Sequence, residues 1–509
     1  MIAVLALSAT LASSPASCES LKTLSLPNAT IVAAEMVPAG PFVQPGRGAA
    51  PGAPPAAEGG RGRGGPGGAP PAPQIVPAHC RINAILRPSS DSEIEMEAWL
   101  PENWNGKFQF VGGGGWAGII SFPAMVNAVE EGYATASTDT GHKGGNALFA
   151  INHPEKVTDF AYRAVHETTV QTKALVAKYY ERPARLSYWN GCSTGGRQGL
   201  MEAQKFPDDF DAIIAGAPAN YQTHLHTWDL SVAVPVLNNP AAALTQEKLN
   251  ALRDAAVRAC DANDGVKDGL INDPRTCRFD PSALLCKGAD GPACLTQPQL
   301  DAVKRAYSAT KTKNGDVVFP GKQPGSEYQW MAFLGGRQAP GVSVGSFQVA
   351  YNDANWDAKT FDVDKDLKIV DEKVGTIINA VNPDLSAFKA HGGKLLLYHG
   401  WNDTAISPGN TINYYESVLK KMGGKQEDFV RLYMAPGMQH CGGGPGPNQI
   451  NYMAIMERWR EGNQTPASIE AYHVTNNRVD MTRPLCPYPQ VATYKGTGTP
   501  NDAANWTCK

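Results

Sequence analysis

Several features that would define a function class are missing from these 509 residues. No run of Lys or Arg forms a basic stripe, and the formal net charge is −3. Nucleic acids are bound through clustered cations that displace counterions from phosphates, so the composition points away from a nucleic-acid partner. No apolar stretch reaches the roughly 20 residues that cross a bilayer, so no membrane span is expected. The ten cysteines include no CxxC pair and no Cys/His spacing of a zinc site, which argues against a thiolate metal centre. The one conspicuous glycine run, Gly112–Gly115, is not followed by Lys-Ser/Thr, so it is no P-loop. Internal repeats are absent too.

What is present is globular: 42% hydrophobic and 18% charged residues, in a chain longer than one simple core usually fills. One large core with a substantial insertion, or two domains, is expected. Residues 1–16 read as a signal peptide, an apolar segment ending in small residues, although the usual cationic start is lacking. An even cysteine count agrees with export to an oxidising compartment, hence a secreted or periplasmic protein. From 40 to 73 the chain is almost entirely Gly, Pro, Ala and Arg, too poor in apolar surface to offset ordering entropy, and reads as a disordered loop.

From Cys80 onward, strand patterns (SEIEMEAWLP, KFQFVGG, ATASTDT, RLSYWNG) alternate with helical ones (FPAMVNAVEEGY, the 159–180 segment, GGRQGLMEAQKFP). That rhythm predicts an α/β fold with a mostly parallel sheet covered by helices. It breaks at 221–381, a stretch rich in Trp and Tyr with four cysteines, and returns with KLLLYHG and FVRLYMAPG. Residues 80–220 and 382–509 therefore form the expected catalytic domain, and 221–381 an insertion large enough to be a lid.

Gly191-Cys192-Ser193-Thr194-Gly195 lies between a predicted strand and a predicted helix. A sharp turn there exposes the Ser193 hydroxyl, and the helix N-terminus favours a developing anion. An α/β-hydrolase carries its acid and then its base later in the chain, each after a strand. Asp403 in KLLLYHGWNDTAISP and His440 in VRLYMAPGMQHCGGG meet that order, whereas His399 and His391 precede the acid and fit less well; His142 reads as structural. Ser193 is then the nucleophile, His440 its base and Asp403 the residue that holds the imidazole tautomer. The oxyanion hole is expected from the Thr194 amide and those of Gly114 and Gly115 in FVGGGGWAG. Cys192 and Cys441 adjoin the proposed nucleophile and base, one 3.8 Å step from each, so the two sulfurs can meet as a disulfide. Cys260–Cys277, Cys286–Cys294 and Cys486–Cys508 suit short local loops, but spacing alone leaves the connectivity open.

A second cluster follows Cys260. Asp261, Asp264 and Asp268, with Val266 and Leu270 between and after them, can wrap oxygens around a hard cation such as calcium. The twelfth-position Glu of an EF-hand is missing, and an Asp/Gly-rich turn is the alternative. The cluster sits in the insertion and, in sequence, beside none of the triad segments.

With GCSTGGRQG around Ser193, HGWNDTAISP around Asp403 and MQHCGG around His440, the chain resembles the tannase and feruloyl esterase family from about Cys80 to Cys508. The resemblance implies an α/β-hydrolase core with a large inserted lid and a Cys192–Cys441 bridge. It also implies the pairs Cys18–Cys80, Cys260–Cys277, Cys286–Cys294 and Cys486–Cys508. A structural Ca2+ would be held by the side chains of Asp261, Asp264 and Asp268 and the carbonyls of Val266 and Leu270. The implied substrates are esters of aromatic acids, ferulate or gallate, free or attached to plant polysaccharide, or in a bacterial branch mono(hydroxyethyl) terephthalate. Arg337 as a carboxylate partner and Phe347 and Trp356 as stacking surfaces are the expected substrate contacts. The reading from another class is a non-catalytic, calcium-stabilised carbohydrate-binding protein.

Overall fold

The computed structural model describes residues 17–44 and 74–509; the expected signal peptide and most of the 40–73 segment lie outside the described residues. Nine strands form one sheet. They are β1 (Ala29–Val37), β2 (His79–Leu86), β3 (Ile94–Pro101), β4 (Lys107–Val111), β5 (Ala134–Thr138), β6 (Leu186–Cys192), β7 (Ala212–Gly216), β8 (Lys394–Gly400) and β9 (Val430–Ala435). Their order is β1-β2-β3-β5-β4-β6-β7-β8-β9. The pairs from β1 through β3 to β5 are antiparallel, and every pair from β5 onward is parallel. Parallel pairing needs crossovers, and helices Phe122–Glu130, Ala164–Tyr179, Thr194–Lys205 and Pro408–Met422 supply them. Strands covered on both faces read as apolar runs: all five residues of AIIAG in β7 are buried. In β2, near the sheet edge, buried residues alternate with half-buried ones. This is the α/β-hydrolase arrangement expected from the alternating pattern.

One face of the sheet buries Phe108, Phe110, Trp189 and Phe210, with Phe110 and Trp189 stacked at 5.0 Å. The other buries Trp99, Met125, Tyr188 and Trp459. Truncating one of these rings to Ala costs about 3–5 kcal/mol by lost transfer energy and cavity formation. Together they fix the strand whose end carries Ser193.

Two sequence expectations change. Folded structure begins before Cys80: β1 pairs along β2 from Ala29↔Leu86 to Val37↔His79. The segment expected to be a loop from residue 40 is paired at its margins, Gly40–Pro41 with Ile75–Val76, and Phe42 donates its amide to the Gln74 carbonyl at 2.8 Å. Between β7 and β8, where the insertion was expected, the chain adds no strand to the main sheet. It forms helices, among them Gln222–Asn238, Gln246–Cys260 and Gly341–Tyr351, and a small ribbon of Thr310–Lys311 with Val317–Phe319. Its own core gathers Trp228, Leu249, Trp330 and Phe333.

All ten cysteines are paired as Cys18–Cys80, Cys192–Cys441, Cys260–Cys277, Cys286–Cys294 and Cys486–Cys508, with Cα separations of 5.0 to 5.9 Å. No described helix is long and apolar enough to cross a membrane.

Candidate active site

The carboxyl ends of β6, β8 and β9 lie on one edge of the parallel sheet, where such folds place their sites. Ser193 follows β6 and opens helix Thr194–Lys205 with φ 65° and ψ −123°. A non-glycine residue rarely adopts this left-handed region, and holding one there costs about 1–3 kcal/mol. Neighbouring contacts hold it: the Ser193 amide donates to the Gly216 carbonyl at 2.9 Å, and its carbonyl accepts from Arg197 and Ala219. The turn closes because Gly191 has no side chain; a Cβ there would lie 2.6 Å from the Gly195 carbonyl oxygen. These contacts lift the Ser193 side chain onto the tip of the elbow.

Asp403 follows β8 and is fully buried. Its Oδ1 accepts the amides of Ala405 (2.9 Å) and Ile406 (3.0 Å), and its Oδ2 accepts His440 Nδ1 at 2.7 Å. Burial alone would push this carboxyl up, but the charge of His440 and the hydrogen bonds from His440 and His399 hold it well below the usual carboxylate range. Burial also pushes the His440 imidazole down, yet the facing Asp403 carboxylate outweighs it and the net shift is upward. With Nδ1 tied to Asp403, His440 presents Nε2 outward. No hydrogen bond joins that nitrogen to Ser193 Oγ among the described residues; in ligand-free sites such a contact often tightens only when substrate binds.

The Cys192–Cys441 bridge, with Cα atoms 5.9 Å apart, joins the residue before Ser193 to the residue after His440. Cys441 itself has φ 63°. Serine elbow and histidine loop are therefore one covalently closed unit.

Gly112–Gly115 runs beside this unit. Gly113 is occupied in both directions: its amide donates to Gln198 Oε1 (3.0 Å) and its carbonyl accepts from Gly195 (2.9 Å). Gly114 and Gly115 have no amide partner among the described residues, and the Gly115 carbonyl accepts the Thr194 hydroxyl at 3.0 Å. The amide of Thr194 is in the first turn of its helix, where no intrahelical acceptor exists. The amides of Thr194, Gly114 and Gly115 are thus without a partner among the described residues.

The insertion closes on these loops from two sides. Trp116, next after the glycines, donates Nε1 to the Val342 carbonyl at 2.7 Å and stacks on Phe160 at 4.6 Å. On the other side, Asn402 Nδ2 donates to the Gly325 carbonyl (2.9 Å) and Gln439 Nε2 to the Tyr328 hydroxyl (2.6 Å). The immediate neighbours of Asp403 and His440 are in this way tied to the insertion.

The substrate contacts expected in the insertion are placed differently from one another. Phe347 is fully buried and stacked on Trp356 at 5.0 Å, in the cluster that also holds Trp116. It packs in the cluster behind the glycine loop, with no face left for a ligand. Trp356 is half-buried and packed against that cluster, and Arg337 is exposed in the turn after Met331–Leu334. His142, expected to be structural, donates from Nε2 to the Trp116 carbonyl (2.7 Å) and stacks on Phe149.

The Asp261 cluster forms one turn of 3-10 helix, Asp261–Asp264, and a loop closed by its own carboxylates. Asp261 Oδ1 accepts the amides of Asp268 and Gly269, Asp264 Oδ1 that of Val266, and Asp268 Oδ2 pairs with Arg483 at 2.6 Å. Asp264 Oδ2 is buried with no partner, and burial together with the Asp268 and Asp261 charges raises its pKa. The orphaned Asp264 oxygen is one free ligand for a hard cation, but the Asp261, Asp264 and Asp268 carboxylates do not converge within 4.8 Å of one another, and Asp268 is taken up by Arg483. The position of this loop differs from that suggested by sequence distance. Gly269, Leu270 and Ile271 line a cavity of about 250 Å3 together with Asn402, Gly437 and Gln439, so the loop packs against the segments bearing Asp403 and His440.

Sequence reasoning missed one residue of the site. His399, at the end of β8, is fully buried and contacts Asp403 directly. Its spacing, four residues before the acid on the same strand end, was the available signal.

A family model described as tannase and feruloyl esterase matches residues 80–509. An uncharacterized esterase from Xanthomonas campestris is 36% identical over 98% of this chain and 92% of its own length. A probable feruloyl esterase B-1 from Aspergillus oryzae is 35% identical, covering 85% of this chain and 84% of the relative. Among solved structures, feruloyl esterase B from Aspergillus oryzae superposes with a TM-score of 0.88 at 33% identity over 97% of this chain and 99% of the other. Tannin acyl hydrolase from Aspergillus niger shares the fold, with a TM-score of 0.75 at 22% identity over 95% and 92%.

Proposed function

This chain belongs to the tannase and feruloyl esterase family and is a carboxylic ester hydrolase, and we propose that it is an exported serine esterase that cleaves esters of aromatic acids through an acyl-enzyme. The observation that carries the mechanism is the covalent unit of elbow and histidine loop, with Asp403 on His440 Nδ1 at 2.7 Å. Ser193 Oγ attacks the ester carbonyl while His440 Nε2 takes its proton. The tetrahedral oxyanion is held by the amides of Thr194, Gly114 and Gly115. Collapse expels the alcohol, which receives the proton from His440, and water then repeats the sequence in reverse roles to free the acid. Asp403 stays ionised throughout and stabilises the imidazolium.

Aromatic acyl groups are favoured because the named relatives are probable feruloyl esterases and the insertion brings Phe347, Tyr351 and Trp356 into the cluster that holds Trp116, next to the glycine loop. Each aromatic pair contributes about 0.5–1.5 kcal/mol beyond area burial. Five disulfides and the apolar start of the chain support export. A structural calcium ion at Asp261, Asp264 and Asp268 is part of the same proposal and supplies stability, not chemistry. The exposed Arg337 gives no support to a terephthalate-monoester specificity. The test is kcat/KM for methyl ferulate, methyl gallate and a terephthalate monoester against an aliphatic methyl ester of similar size. Preference for the aromatic esters by about tenfold or more is the result expected of an aromatic-acyl pocket. Equal turnover of the aliphatic ester refutes the aromatic specificity and leaves a general carboxylesterase.

A further inference from the structure

We infer that His399 is a positioning residue of the reaction, the second histidine that fixes the Asp403 carboxylate for His440. The inference rests on the reading of Ser193, Asp403 and His440 as a triad. His399 Nε2 lies 2.9 Å from Asp403 Oδ2 and 3.1 Å from the Ile406 carbonyl. Both oxygens only accept, so Nε2 carries the proton and shares it between them. On the far side of the ring, Nδ1 meets the Thr411 hydroxyl at 2.7 Å, which in the neutral ring donates and so holds the proton on Nε2. The ring is completely buried, with both nitrogens engaged.

The geometry gives this contact a specific consequence. Asp403 Oδ2 is the same oxygen that accepts His440 Nδ1, while Oδ1 is filled by the Ala405 and Ile406 amides. Four donors thus surround one carboxylate and leave it a single orientation. Removing the His399 donor frees Oδ2 to follow His440 or to turn toward a water. It also leaves more negative charge facing His440. The titratable groups around His399 are Asp403 in contact, His440 across it, and Lys322 and Asp229, both buried and both feeling the Asp403 charge. Lys322 donates to the Thr404 carbonyl at 2.8 Å and so acts on the loop itself.

The experiment compares His399→Leu and His399→Gln in the full-length protein, with ester hydrolysis followed across pH and the melting temperature recorded. Leu keeps the volume and removes the donor; Gln restores an N–H near the Nε2 position. His399→Leu is expected to lower kcat by about ten- to a hundredfold with KM little changed, the loss that roughly 1 Å of misplacement produces. Its acid limb should move to higher pH, and His399→Gln should recover much of the rate and return the limb. If His399→Leu does not fold, Thr411→Val, which frees the tautomer, carries the same expectations at smaller size. A double-mutant cycle with Asp403→Ala separates the levels: His399→Leu should cost nothing further once Asp403 is gone. Full activity in Asp403→Ala alone would overturn the triad reading. Loss in Asp403→Ala with an unaltered kcat and pH limb in a folded His399→Leu or Thr411→Val would overturn only the role of His399. Equal kcat losses in the Leu and Gln variants, tracking melting temperature, would overturn it too.

Discussion

Opening the Cys192–Cys441 bridge should damage stability and catalysis together. The two cysteines are 249 residues apart in sequence, and the bridges inside that loop, Cys260–Cys277 and Cys286–Cys294, shorten it only slightly. A closed loop of this length removes about 5.5 kcal/mol of unfolded-state entropy in the chain model. The bridge also holds two residues with positive φ, Ser193 at 65° and Cys441 at 63°, each costing about 1–3 kcal/mol where the surroundings enforce it. Without the covalent tie the histidine loop is held by hydrogen bonds alone, among them His440 to Asp403, Gln439 to Tyr328 and Asn402 to the Met438 carbonyl. Displacing the base by about 1 Å costs roughly a hundredfold in rate. The double variant Cys192→Ser/Cys441→Ser, which buries no unpaired thiol, is therefore expected to melt well below wild type. Below its own melting temperature it should hydrolyse esters one to two orders of magnitude more slowly. The assay is kcat on methyl ferulate alongside a thermal melt. A double variant with wild-type kcat would refute the claim that the bridge positions base against nucleophile, whatever its melting temperature.

Two other perturbations follow from the same geometry. The acid limb of kcat/KM should report His440, whose pKa Asp403 raises. A raised histidine pKa stabilises the fold below its unfolded value and loses that contribution as pH rises through the folded value, whereas catalysis needs the neutral ring and gains over the same rise. Asp403→Asn should accordingly move the limb to lower pH while cutting kcat sharply; an unmoved limb would show that Asp403 does not set it. Chelation should lower the melting temperature by mass action while the unheated enzyme keeps most of its rate. Asp264→Asn should show the chelated behaviour without chelator. A melting temperature indifferent to exhaustive chelation would leave the loop a plain Asp/Gly turn.

Much of the site was legible in the sequence because its chemistry is local. The Gly-Cys-Ser-Thr-Gly segment with its flanking strand and helix announces an elbow, since only that turn needs glycines at Gly191 and Gly195. Cys192 and Cys441 could be paired from adjacency alone. Elsewhere the decisive contacts are long-range. β1 precedes the Gly/Pro-rich segment and owes its place to a register along β2 that no local pattern encodes. The Asp261 loop is remote in sequence from Asp403 and His440, and only the packing of the insertion brings it against them. His399 was passed over because chain order assigns the base to a histidine after the acid. Its role depends on the loop after β8 turning Asp403 back over the strand end. Phe347 reads as a stacking surface from composition, but its ring is spent on Trp356 within the insertion.

The central claim is that Ser193 is the nucleophile of an acyl-enzyme reaction. Its most direct test is intact-mass and peptide analysis after incubation with a phosphonylating serine reagent, beside turnover by Ser193→Ala. One adduct per chain, located on Ser193 and lost together with nearly all activity in a folded Ser193→Ala, is the predicted result. An active Ser193→Ala, or an inactivating adduct on another residue, would contradict it.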